Sequence, residues 1–159
     1  MLRLLIVASV IVSLLPSGPS AALTCMFMPL VHPVAPRSQL VAHVRVARFY
    51  PDRSMDVQVI RLLHGREGRP IVPVDARQVL GWRMTSPWTM ARFPPRSEWV
   101  LALVPRPAED PGRAAYELPV CRAFLRVSGD RATGHINDTS TVEELAMEEL
   151  SVKIRDSLR

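Results

Sequence analysis

From Gln39 the chain alternates without a break, with Leu40, Ala42, Val44 and Val46 on one side and Val41, His43 and Arg45 on the other. A two-residue period suits an extended strand with one face on a core and does not suit a helix. Met55 to Leu63 repeats it, with Val57 and Val59 set against Asp56 and Gln58. Between them, Tyr50 to Ser54 holds Pro51 and Asp52 and reads as a turn. Gly65 and Gly68 end the second strand, and Pro70 to Val74 is a third that its two prolines confine to an edge. Trp99 to Val104 is apolar throughout, the mark of a strand buried on both faces. Tyr116 to Val120 and Ala123 to Val127 are further strands, and Gly129 supplies the positive φ for a hairpin into Arg131 to Ile136.

The period changes only at the end. Thr141 and Glu144 fit a capping box, Val142, Leu145, Ala146 and Leu150 share a helical face, and glutamates precede Lys153, Arg155 and Arg159, as the helix dipole favours. The expectation is a mainly β fold of about six or seven strands followed by one helix over Thr141 to Leu158. A small OB-type Greek-key barrel meets it, and so does a β-sandwich.

Residues 1–22 carry a different message. Arg3, an apolar stretch from Leu4 to Leu15, the breakers Pro16 and Gly18, and Ser20-Ala21-Ala22 follow the order of a secretory signal peptide. The stretch is shorter than the roughly 17–25 residues of a membrane span. The reading is therefore a signal peptide at 1–22, a β-barrel domain at 23–139 and a C-terminal helix at 140–159, packed on the barrel or appended to it. The protein is expected to be secreted or periplasmic, with no membrane span after cleavage. In an oxidising compartment the only two cysteines, Cys25 and Cys121, favour one disulfide. Closing so long a loop contributes about 4–5 kcal/mol in the chain-entropy account. Two separate buried thiols, or one thiol reacting with another molecule, are the alternatives.

The formal net charge is +5, almost all from arginine, since Lys153 is the sole lysine. The arginines are dispersed and aromatics make up 6% of the chain. With no basic stripe and few stacking platforms, nucleic acid is not an expected partner.

Cys25 with its proline-rich arm, Leu40-Val41-Ala42-His43-Val44-Arg45-Val46, Val57 to Gly65, and Ser97 to Leu103 followed by Tyr116 to Cys121 carry a resemblance. In these places the chain resembles the netrin-like domain family, known best from the tissue inhibitors of metalloproteinases. The resemblance spans roughly residues 25–136 on short, degenerate motifs. It implies a five-stranded OB-type barrel with an added helix. It also implies an inhibitory arm at Cys25, Met26 and Phe27, because those inhibitors present an N-terminal cysteine amine and carbonyl to a protease zinc. Two departures weigh on that mechanism. The inhibitors begin Cys-x-Cys, whereas this chain reads Cys25-Met26-Phe27, and cleavage after Ala22 leaves Leu23 and Thr24 ahead of Cys25.

His32, His43, His64 and His135 lack the short spacings of zinc ligands, and each reads as a surface or satisfied histidine. No nucleophile elbow, zinc-protease helix or phosphate loop occurs, so no catalytic residue, metal or cofactor is assigned. The long connection at 75–97 is the candidate binding surface. Trp82, Met84, Trp88, Met90 and Phe93 are more apolar than an exposed loop requires, and Trp and Met suit interfaces. Their alternative is to fold back and cap the barrel. The expected function is a non-catalytic binding module for another protein. The two rivals are a metalloproteinase inhibitor acting through the arm and an envelope assembly protein docking by its helix.

Overall fold

The computed structural model describes residues 29–31, 35, 38–52, 54–76, 93–106, 115–118, 124–137 and 140–159. Among the described residues, the elements in chain order are β1 (Leu40–Phe49), β2 (Ser54–His64), β3 (Ile71–Asp75), β4 (Glu98–Pro105), β5 (Tyr116–Glu117), β6 (Phe124–Ser128), β7 (Arg131–Gly134), β8 (Glu143–Ala146) and α1 (Met147–Ser157). The first five close into a barrel in the order β1-β2-β3-β5-β4, with β4 returning to β1. Every barrel contact is antiparallel except β3 with β5. That is the order of a small OB-type barrel, so the mainly β expectation holds. From the first half of β4 the sheet continues outward as β6, β7 and β8.

Curling so few strands into a closed barrel needs local irregularity. The β1–β2 ladder provides it, with register shifts between Val41 and Ala42, His43 and Val44, and Val46 and Arg48. Where β2 ends, Gly65 turns at φ 86°, and a Cβ there would stand 2.1 Å from the Gln39 carbonyl oxygen. No larger residue fits that crossing.

Pro73 does not place β3 at an edge, as its two prolines suggested. β3 lies between β2 and β5. The Val59 amide donates to the Pro70 carbonyl, so Val72 and Val74 are the residues bonding β2 and Pro73 faces the other way. Its missing N–H thus costs no bond to β2, while its carbonyl accepts from Ala115.

Two cores share the strands. Inside the barrel lie Leu40, Ala42, Val44 and Val46 of β1, Met55 and Val57 of β2, Val72 and Val74 of β3, and Trp99, Leu101 and Leu103 of β4. Outside it, Val41, Val100, Ala102, Leu125, Val127 and Ala132 meet Met147, Leu150 and Ile154 of α1 together with Leu30 and Ala35 of the N-terminal arm. The continuous apolar run of β4 is explained by this division, since alternate residues serve alternate cores. The arm is bonded in place, with the Leu30 and Val31 amides donating to the carbonyls of His135 and Ile136 at 3.0 and 2.9 Å.

The C-terminal segment departs from the sequence reading. Glu143–Ala146 is a strand, paired Arg131↔Ala146 through Gly134↔Glu143, and the helix starts only at Met147. Thr141 is not the N-cap of this helix, and its carbonyl accepts from His135 Nδ1 at 3.0 Å. The local capping signal loses to the open edge of β7, whose backbone groups need partners. Ala146 occupies the N-cap position without a side-chain bond, and the Met147 amide donates to the Asp130 carbonyl at 2.7 Å.

Among the described residues no helix is long and apolar enough to cross a membrane. Residues 1–28, with the expected signal peptide and Cys25, and Cys121 lie outside the described residues, and so does the expected disulfide.

Candidate binding face

Strand pairing assembles a polar cluster on the outside of the barrel from residues far apart in sequence. One row crosses four strands, Glu98 on β4 opposite Arg45 on β1, Arg45 opposite Gln58 on β2, and Gln58 opposite Ile71 on β3. The next row holds Val100, His43 and Arg61. Directly opposed residues share a face, so these side chains all point away from the barrel interior.

Glu98 is the centre of the cluster. Its Oε2 accepts from His43 Nε2 at 2.9 Å, and its Oε1 accepts from Arg45 Nε at 3.0 Å and Nη2 at 2.6 Å. The Arg45 guanidinium, aided by His43, holds the Glu98 carboxyl below the usual carboxylate range. His43 is buried, which makes it the satisfied histidine the sequence suggested. Arg61 reaches the helix, where its Nη2 donates to Glu148 Oε2 at 2.8 Å.

A second ionic group sits at the loop between β2 and β3. Glu67 accepts from the Arg69 backbone amide and Nε at 2.9 Å each and from Nη2 at 2.8 Å. The Arg69 contact is the main reason its carboxyl falls to about 2, with a further bond to Tyr116 in support. Burial pushes the Tyr116 phenol up, and the Arg69 guanidinium lies 6.0 Å from that ring's centroid.

Beside these groups only part of the outer face of β2 and β3 stays open, since Leu63 of β2 packs against the outer core and Arg61 reaches α1. Ile60 is 42% exposed and Ile71 is 52% exposed, whereas Val100, Ala102, Leu125, Val127 and Ala132 of β4, β6 and β7 are buried in the core shared with α1 and the arm. Among the described residues no three His, Cys, Asp or Glu side chains are grouped to hold a metal ion.

The candidate residues taken from the 75–97 connection fare differently. Trp82, Met84, Trp88 and Met90 lie outside the described residues, as do Met26 and Phe27 of the arm. Phe93 is described, and it is core rather than surface. It is fully buried and meets Trp99 and Phe124 edge to face, with centroids 4.9 and 5.3 Å apart. The reason is local. Pro94 and Pro95 lead into a turn at Arg96 (φ 70°), bonded to Val46, which draws Phe93 under the start of β4.

Sequence reasoning missed the grouping of His43 and Arg45 with Glu98, which lies more than fifty positions along the chain from either. The available signal was a histidine and an arginine on the β1 face shared with Val41, and a glutamate opening the apolar run of β4. No family model matches this chain, and no curated protein or solved structure matches it.

Proposed function

We propose that the protein is an exported, non-catalytic binding module that holds another protein against the outer face of β2 and β3. One observation carries the reading, the contrast between two parts of one barrel's exterior. α1 and the arm bury Val100, Ala102, Leu125, Val127 and Ala132 of β4, β6 and β7, while Ile60 of β2 and Ile71 of β3 remain open. A soluble chain that covers one apolar face and leaves two isoleucines exposed on another offers a place for a partner's apolar side chains. Export rests on the leader at residues 1–22 and on the pair Cys25 and Cys121. The OB strand order is what a netrin-like chain would have, and it supports that kinship without identifying a partner.

Photo-crosslinking in the native host tests the reading. A benzophenone amino acid at position 71 is expected to give a discrete protein adduct, and one at position 128, exposed at the end of β6, is expected to give none. Equal labelling from both sites, or none from position 71, would remove β2 and β3 as the docking face.

A further inference from the structure

The charge around the two open isoleucines is asymmetric in a way that names a kind of partner. Arg45, Arg61 and Arg69 are 47%, 42% and 49% exposed at their side chains. Two of their three counter-carboxylates are less exposed than the arginines they hold, Glu98 at 24% and Glu67 at 6%. Glu148, at 72%, is outside but engaged by Arg61. Asp56, the other acid on this part of β2, accepts from the Tyr50 hydroxyl at 2.7 Å. Solvent therefore meets guanidinium groups, while much of the balancing negative charge is less exposed. Ionised Glu67 and Glu98 keep the arginines in place without hiding them.

The apolar residues lie within this rim. Ile71 shares a row with Arg45 through Gln58, and Ile60 is two residues along β2 from Gln58 and adjacent to Arg61. Diagonal neighbours of this kind are about 7–8 Å apart, a spacing that two side chains of one partner segment can span. We infer that the occupant of this face is an acidic polypeptide segment carrying aliphatic or other apolar anchors. The inference rests on the docking face proposed above and adds the partner's chemistry. The guanidinium groups, held by Glu98, Glu148 and Glu67 yet half exposed, attract a partner's carboxylates, and the isoleucines take the apolar side chains between them. A nucleic acid fits less well, because the apolar contacts here are aliphatic and offer no ring on which a base can stack.

Fluorescence anisotropy on the full secreted chain tests this. The probe is a short labelled peptide of Asp and Glu with Leu at regular intervals, compared with the same peptide carrying Lys for the acids and with oligothymidylate. The acidic peptide is expected to bind, more weakly as salt rises, and the other two to bind at least about tenfold less tightly. Ile60→Ser with Ile71→Ser should weaken binding about tenfold, and Arg61→Gln about threefold, with the melting temperature unchanged in both. Arg126→Gln, across β6 on the opposite face, should leave binding as it was. An equal loss from Arg126→Gln, tighter binding of oligothymidylate, or indifference to peptide charge would each overturn the proposal. A crosslink at position 71 together with failure of the acidic peptide would reject the partner's chemistry and leave the docking face standing.

Discussion

At the scale of single residues, Phe93 shows how an apolar loop side chain is assigned wrongly. Its neighbours in sequence are prolines and a distant pair of tryptophans, so composition alone suggests a sticky loop. In the fold it completes a trio with Trp99 and Phe124, whose centroids are 5.6 Å apart and whose planes cross at 72°. Trp99 is oriented from the other side, where its Nε1 donates to Ser97 Oγ at 2.6 Å. Such edge-to-face contacts contribute beyond the area they bury. Phe93→Ala should therefore cost about 3–5 kcal/mol in chemical denaturation. A residue presented to a partner would change the stability little.

At the scale of elements, the strands were legible where burial imposes a period, and the partners that cover them were not. β1, β2 and β4 could be read because alternation, or its loss when both faces are buried, is written into consecutive residues. β8 could not, because Thr141 and Glu144 satisfy a helix-start pattern locally while the deciding interaction is with β7. Glu143 and Glu144 are spent there, Glu143 on Asn137 at 2.7 and 2.8 Å and Glu144 on Arg131. The Glu98 cluster was hidden for the same reason, since β1 and β4 meet only when the barrel closes.

The loop between β2 and β3 allows a test at this scale. Glu67 is ionised with its pKa at about 2 rather than the usual 4.5, so its stabilisation is complete above pH 4.5 and fades as pH falls toward 2. Arg69 is half exposed, and screening by solvent keeps the contribution near about 1 kcal/mol. Urea titrations of Glu67→Gln should show that deficit unchanged from pH 7 to 5 and shrinking below pH 4.5. A deficit independent of pH would mean that shape rather than charge holds the loop to Tyr116.

For the whole molecule the two-core arrangement decides what the C-terminal segment is for. Had it been a helix docked on an outside partner, truncation before Thr141 would leave the barrel whole. Instead, residues 143–146 close the edge of β7, and Met147, Leu150 and Ile154 fill the outer core with Val41, Val100, Ala102 and Leu125. Removing them bares the far side of β4, a strand whose near side lines the barrel. Loss of Leu150 alone should cost about 2–5 kcal/mol, a large part of the roughly 5–15 kcal/mol that a domain of this size has to lose. Truncation before Thr141 is therefore expected to give a chain that binds a hydrophobic dye and melts without a sharp transition. Leu150→Ala in the full chain should remain cooperative with a lowered midpoint. A truncated chain that melts sharply at the full-length temperature would show that the barrel stands alone, and would return α1 to the surfaces available for a partner.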